Sequence, residues 1–209
     1  MKRSYYIAVV AVMLLFLSAC ESGGDFNMIN RTSYPVYTTV DSGDMVTIPA
    51  GESHVFKIDT DTQSFLTGEV KRKVPVWVVG HTFSLHDREE NEFVDDTEIT
   101  IRAGKTLNAY LDPNRASIKV INNHEKTISR AEIWEIKPSS QTLIATLEDI
   151  IPGDSQWKRV NHVTPQNHFS YRVMVFLDGE PGFLEYGDYD TVLAKDEQWM
   201  VTVENSTED

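Results

Sequence analysis

Cysteine is nearly absent from this chain: one residue, Cys20, occurs in 209. A single thiol cannot close an intramolecular disulfide, so the fold must hold without covalent staples. Long apolar runs are as scarce. Outside residues 5–17, no segment approaches the roughly 20 residues that a membrane-spanning helix needs. Basic residues are in deficit, with 19 Lys and Arg against 32 Asp and Glu and a formal net charge of −13. That balance argues against nucleic acid as a partner, because such binding rests on neutralising phosphates. It also argues against a basic patch lying on anionic lipid. Amphipathic periodicity sustained beyond about three helical turns is missing too.

What is present begins at the N-terminus. Lys2 and Arg3 precede the uninterrupted apolar stretch 5–17, and Ser18 and Ala19 lead to Cys20. The stretch is too short to span a bilayer comfortably but suits the core of a signal peptide. Leu17-Ser18-Ala19-Cys20 resembles the lipobox of bacterial lipoproteins. The resemblance implies cleavage before Cys20, which would then carry the lipid, and two or more acyl chains suffice for stable anchoring. Lys2 and Arg3 would leave with the first 19 residues, so 17 basic residues would face 32 acidic ones, a net charge of −15. Glu21 follows the cysteine where aspartate would favour retention at the inner membrane, so the pattern leans to the outer membrane.

Beyond a polar, Gly-containing tether at 20–25, short strands separated by turns are predicted. They cover 26–30, 36–40, 55–58, 74–79, 97–101 and 107–111, then 117–122, 129–136, 143–147, 156–160, 171–177 and 199–203. Ile99 and Ile101 share one face of their strand, and Trp199, Val201 and Val203 share a face of theirs, as half-buried strands require. The run 172–177 is apolar on both faces, the pattern of a central strand covered on two sides.

The two halves also repeat in the same order. Met28-Ile29-Asn30 matches Val120-Ile121-Asn122. Ile48-Pro49-Ala50-Gly51 matches Ile151-Pro152-Gly153 with one gap. The stretch starting at Val76 matches the one starting at Val173, with Gly80 set against Gly179. Ala103-Gly104-Lys105 is set against Ala194-Lys195-Asp196. This turn-then-strand pattern resembles immunoglobulin-like and fibronectin-type sandwiches, without the Cys-Trp-Cys signature of true immunoglobulin domains. The expected fold is all-β, two tandem antiparallel β-sandwich domains covering 26–113 and 114–205, with a polar tail at 206–209. Asp112-Pro113-Asn114-Arg115 is the expected boundary, and Trp134, Trp157, Phe176 and Trp199 are candidate aromatics for the second core.

Motifs for chemistry fail at identifiable residues. Gly51-Glu52-Ser53-His54-Val55 has Val55 where a nucleophile elbow needs glycine. His124 and Glu125 are followed by Ile128 where a zinc-binding helix needs its second histidine. The stretch beginning Asp59-Thr60-Asp61 lacks the glycine and distal glutamate of a calcium loop. Two polar clusters remain. His81, His86 and Asp87, with further acids to Asp96, have types that suit a metal but spacing that matches no standard site. Glu185, Tyr186, Asp188, Tyr189 and Asp190 surround Gly187, where carboxylates could meet calcium and tyrosines a partner. Solvated loops are the favoured reading of both.

The functional expectation is a lipid-anchored envelope protein acting as a non-enzymatic binding or structural module. It needs no cofactor beyond its covalent lipid and has an envelope protein or polymer as partner. The alternative is a metal-dependent envelope hydrolase using the 81–96 cluster.

Overall fold

The computed structural model describes residues 23–60 and 71–205. Cys20, the signal segment and the 206–209 tail lie outside them. The chain lays down β1 (Gly23–Asn30), β2 (Val36–Val40), β3 (Val46–Ile48), β4 (Ser53–Asp59), β5 (Lys71–Gly80), β6 (Leu85–Asp87), β7 (Glu92–Val94), β8 (Asp96–Arg102) and β9 (Thr106–Leu111). It continues with β10 (Ala116–Asn123), β11 (Ile128–Lys137), β12 (Ser140–Ile150), β13 (Ser155–Val160), β14 (Ser170–Leu177), β15 (Leu184–Tyr186) and β16 (Gln198–Glu204).

These strands form two tandem sandwiches. Sheets ordered β4-β1-β9 and β3-β2-β5-β8 enclose one apolar core, and sheets β13-β10-β16 and β12-β11-β14-β15 enclose another. Phe26, Met28, Val36, Val74 and Ile101 fill the first core, while Ile118, Ile133, Tyr171 and Val173 fill the second. Strict alternation of buried and half-buried positions along β1 is the period-2 signal made physical. β6 and β7 form a separate small hairpin.

Three features differ from the sequence expectations. First, Gly23–Asp25 are not tether but the start of β1. A Cβ at Gly24 would lie 2.4 Å from Arg102 O and 2.7 Å from Ile101 Cγ2, so glycine there permits close packing instead of flexibility. Second, pairing is antiparallel except where each sandwich closes. β1 runs parallel to β9 and β10 parallel to β16. Seven principal strands alternate in direction in each sandwich, so the first and seventh point the same way and their pairing must be parallel. Third, most of the expected aromatics lie off the second core. Trp157 packs on His81, with ring centroids 4.1 Å apart, and Phe176 lies under Arg130. Trp134 is half-buried, its indole donating to Glu132. Only Trp199 packs against the core, whose buried rings are Phe169 and Tyr171.

The repeat is present, with tighter registers than the sequence alignment suggested. Gly51 and Gly153 hold φ of 75° and 83° at matching turns, so Ile48 aligns with Ile150 and no gap is needed. Gly104 aligns with Asp196, at φ 65° and 66°, not with Lys195. Val36 pairs with Gly80 and Ile128 with Leu177, so Gly80 matches Leu177 and not Gly179.

Asn30, the last residue of β1, and Asn122, the last but one of β10, are fully buried. Asn30 Nδ2 donates to Tyr34 O (2.8 Å) and Ile48 O (3.0 Å), and its Oδ1 accepts from Thr32 N at 2.9 Å. Asn122 Nδ2 donates to Lys126 O (2.9 Å) and Ile150 O (2.7 Å), and its Oδ1 accepts from His124 N at 3.0 Å. Asn122→Ala would leave two carbonyls and an N–H without partners in an apolar setting. We expect a stability loss of about 2–4 kcal/mol, read from the midpoint of chemical unfolding. A loss below about 1 kcal/mol would show that water replaces the amide at no great cost.

Candidate functional site

The β14–β15 connection is shaped by its glycines. Gly179 and Gly182 adopt φ of 72° and 96°, turning the chain so that Phe183 and Leu184 emerge exposed. β15 pairs on one side only, with β14, which leaves its other edge free. Between that edge and the end of β16 lies an open cavity of about 400 Å³, with Leu184 and Tyr186 on its apolar wall and His124, Glu180 and Glu204 on its polar one. Lys126 pairs with Glu180 beside it and holds that carboxyl below its ordinary value.

The sequence-predicted residues of this region take different parts. Glu185 lies 3.2 Å from Arg172 Nε, without the alignment of a hydrogen bond. Tyr186 is half-buried against the second core, and burial pushes its phenol up. Asp188 forms its own turn: its Oδ1 accepts from Asp190 N (2.9 Å) and Thr191 Oγ1 (3.1 Å). Asp190 is exposed. Tyr189 has the most exposed large ring among the described residues, 69% accessible, with the Arg172 guanidinium 6.0 Å from its centroid. Exposed aromatic surface therefore flanks β15: Phe183 precedes the strand, its ring 5.6 Å from that of Phe176 on β14, and Tyr189 follows it in the turn beyond. Sequence reading named Tyr189 but missed Phe183 and Leu184. The Pro181-Gly182-Phe183-Leu184 string, a turn followed by apolar residues, was the available signal.

His81, His86 and Asp87 part company. Asp87 Oδ1 accepts from Glu89 N at 2.8 Å, forming the turn of the β6–β7 hairpin. His86 meets Phe93 edge-on across that hairpin. His81 points into the junction between the sandwiches. It stacks on Tyr34 at 5.9 Å and packs at a tilt against Trp157 at 4.1 Å, and Gln198 Nε2 donates to its Nδ1 at 2.8 Å. Among the described residues, no group of three or more His, Cys, Asp or Glu is placed to hold a metal ion.

The junction is polar and closely tied. Asp196 accepts from Ser33 Oγ (2.8 Å), Ser33 N (3.0 Å) and Thr82 Oγ1 (2.5 Å), reaching from the second sandwich to the first. Asn114 N and Arg115 N both donate to Thr82 O. Arg159 clamps Asp95 through both terminal nitrogens, at 2.7 and 2.9 Å.

No protein-family model matches the chain, and no curated protein matches it. Among solved structures, it is similar to a provisionally assigned cell adhesion protein of Bacteroides ovatus ATCC 8483. The identity is 11% and the TM-score 0.34, over 88% of this chain and 92% of that one. A second provisionally assigned cell adhesion protein, from Bacteroides fragilis NCTC 9343, is 11% identical with a TM-score of 0.32, covering 87% and 84% of the two chains. The Bacillus anthracis TIE protein is 8% identical with a TM-score of 0.29 over 88% of this chain. This chain spans only 34% of that protein.

Burial, followed by the field of Lys119, lowers the His81 pKa from 6.5 to about 4. The unfolded histidine gains its proton near pH 6.5, while the folded one stays neutral down to about 4. Across that window the unfolded state binds more protons, so stability falls as pH falls. Unfolding midpoints measured from pH 7 to 4 should decline more steeply for wild type than for His81→Gln, which stays neutral throughout. Parallel curves would show that His81 contributes nothing to the pH dependence.

Proposed function

We propose that this chain is a lipid-anchored, non-enzymatic binding module of the bacterial cell envelope. Cys20 carries the lipid, in the outer rather than the inner membrane, and the free edge of β15 engages an envelope protein or polymer. The observation that carries the binding reading is the exposure of Phe183, Leu184 and Tyr189 in and beside β15, an edge strand, next to a cavity of about 400 Å³. Aromatic side chains on a rim of polar groups are the usual anchors of interfaces. An unpaired edge adds backbone donors and acceptors for a partner strand.

Topology supports the same reading. Only Glu21 and Ser22 separate Cys20 from β1. β1 runs from Gly23 to the junction, and β10 continues in the same sense from Ala116 to Asn123, next to His124 and the cavity. An anchor at Cys20 would thus hold the chain at one end and present the cavity at the other.

Two experiments test this. Cys20→Ala should move the protein from the membrane fraction to the soluble one, or leave it unprocessed. A processed Cys20→Ala protein that still fractionates with membranes would remove the lipid anchor from the proposal. Separately, in the unlipidated Cys20→Ala protein, Phe183→Ser and Tyr189→Ser should each weaken cosedimentation with isolated envelopes about tenfold, the loss of roughly 1.4 kcal/mol from an interfacial aromatic. Unchanged affinity in both variants would place recognition elsewhere.

A further inference from the structure

The acidic character of the chain breaks at the junction between the sandwiches. A second cavity, of about 310 Å³, opens there, lined by Ser84, Phe93, Arg115, Trp157, Lys158 and Arg159. Three of its six lining residues are cationic, in a chain of net charge −13. Their states differ. Arg159 is matched by Asp95. Lys158 is exposed. Arg115 is half-buried over the Phe93 ring, 4.4 Å from its centroid, and its Nε is buried without a hydrogen-bond partner. No carboxylate among the described residues pairs with it.

A half-buried guanidinium normally has a bidentate partner, because desolvating the charge otherwise costs energy. Here burial and the neighbouring Arg159 both hold Arg115 below its ordinary value. An anion bound in the cavity would offset both effects by favouring the charged guanidinium. The remaining walls suit a ring or short carbon skeleton: the Phe93 ring is half exposed, and the Trp157 indole is fixed by His81 behind it. A cavity of this size lies at the small end of ligand sites.

We propose that the cleft between the two sandwiches binds a small oxyanionic ligand, a carboxylate- or phosphate-bearing group. Its anion would lie on Arg115 and Lys158, and its skeleton against Phe93 and Trp157. The site is separate from the β15 edge and does not depend on it.

Calorimetric titration of the full chain at constant ionic strength tests the site, using glucuronate, inorganic phosphate and glucose. One of the two anions should saturate at one per chain while glucose does not. Glucuronate binding would assign a carboxylate ligand and phosphate binding a phosphoryl one. Lys158→Gln should raise Kd about tenfold, the cost of one charge-assisted hydrogen bond, and Arg115→Gln should raise it further. Arg115 also packs at the junction, so its variant is judged only with an unchanged melting temperature. Exposed Lys158 keeps the test decisive without it. If neither anion saturates, or if Lys158→Gln binds as wild type does, the proposal is overturned.

Discussion

A buried primary amide at the end of the first strand is the contact on which each sandwich depends. After β1 and after β10 the chain must leave one sheet and enter the other, and that crossing buries carbonyls no ladder can pair. Asn30 and Asn122 meet the need with one group, two donors for the carbonyls and one acceptor for the returning N–H. The amide also joins the two sheets, since Ile48 and Ile150 end strands of the facing sheet. Apolar packing can slide, but an amide with three assigned partners cannot, so it sets the registers around which the cores fill.

The two halves diverge where they meet. Gly104 and Asp196 share the same left-handed backbone, yet only aspartate offers a side chain to Ser33 and Thr82. Aspartate tolerates positive φ better than most residues. The position that is a plain turn in the first sandwich thus becomes the clasp of the second. His81, Trp157 and Gln198 extend this contact as a packed, hydrogen-bonded group that disfavours a charged imidazole.

Much of this architecture was legible in the sequence because it is local. Alternation along residues 97–101 and 199–203, and the glycine turns at Gly51 and Gly153, each report a structure formed within a few residues. The strands that escaped notice, β3, β6, β7 and β15, have three residues each, too few to show a period. The match of Gly104 to Asp196 was missed by one residue because shared backbone geometry, not shared residue type, defines it. The junction was illegible for another reason. Gln198 and His81 are 117 residues apart, and nothing near either one announces the other. Trp157 looked like core because it is large and apolar, but its strand position faces the neighbouring sandwich. Arg115 reads as a surface charge until its neighbours are seen.

The parallel closure of each sandwich has a mechanical consequence. β1 is hydrogen-bonded along its length to β4 on one flank and β9 on the other. Ladder bonds lie across the strands, so tension applied through the residues before Gly23 acts along β1 and loads both ladders in shear. β9 runs alongside in the same direction and leads through residues 112–115 into β10, which lies beside β16 in the same way. A pull between the two ends of the molecule therefore drags parallel neighbours past each other in both sandwiches. Many backbone bonds must break together before either one opens, whereas a strand peeled from its end would release them one at a time. In this respect the chain is built like a tether that transmits load.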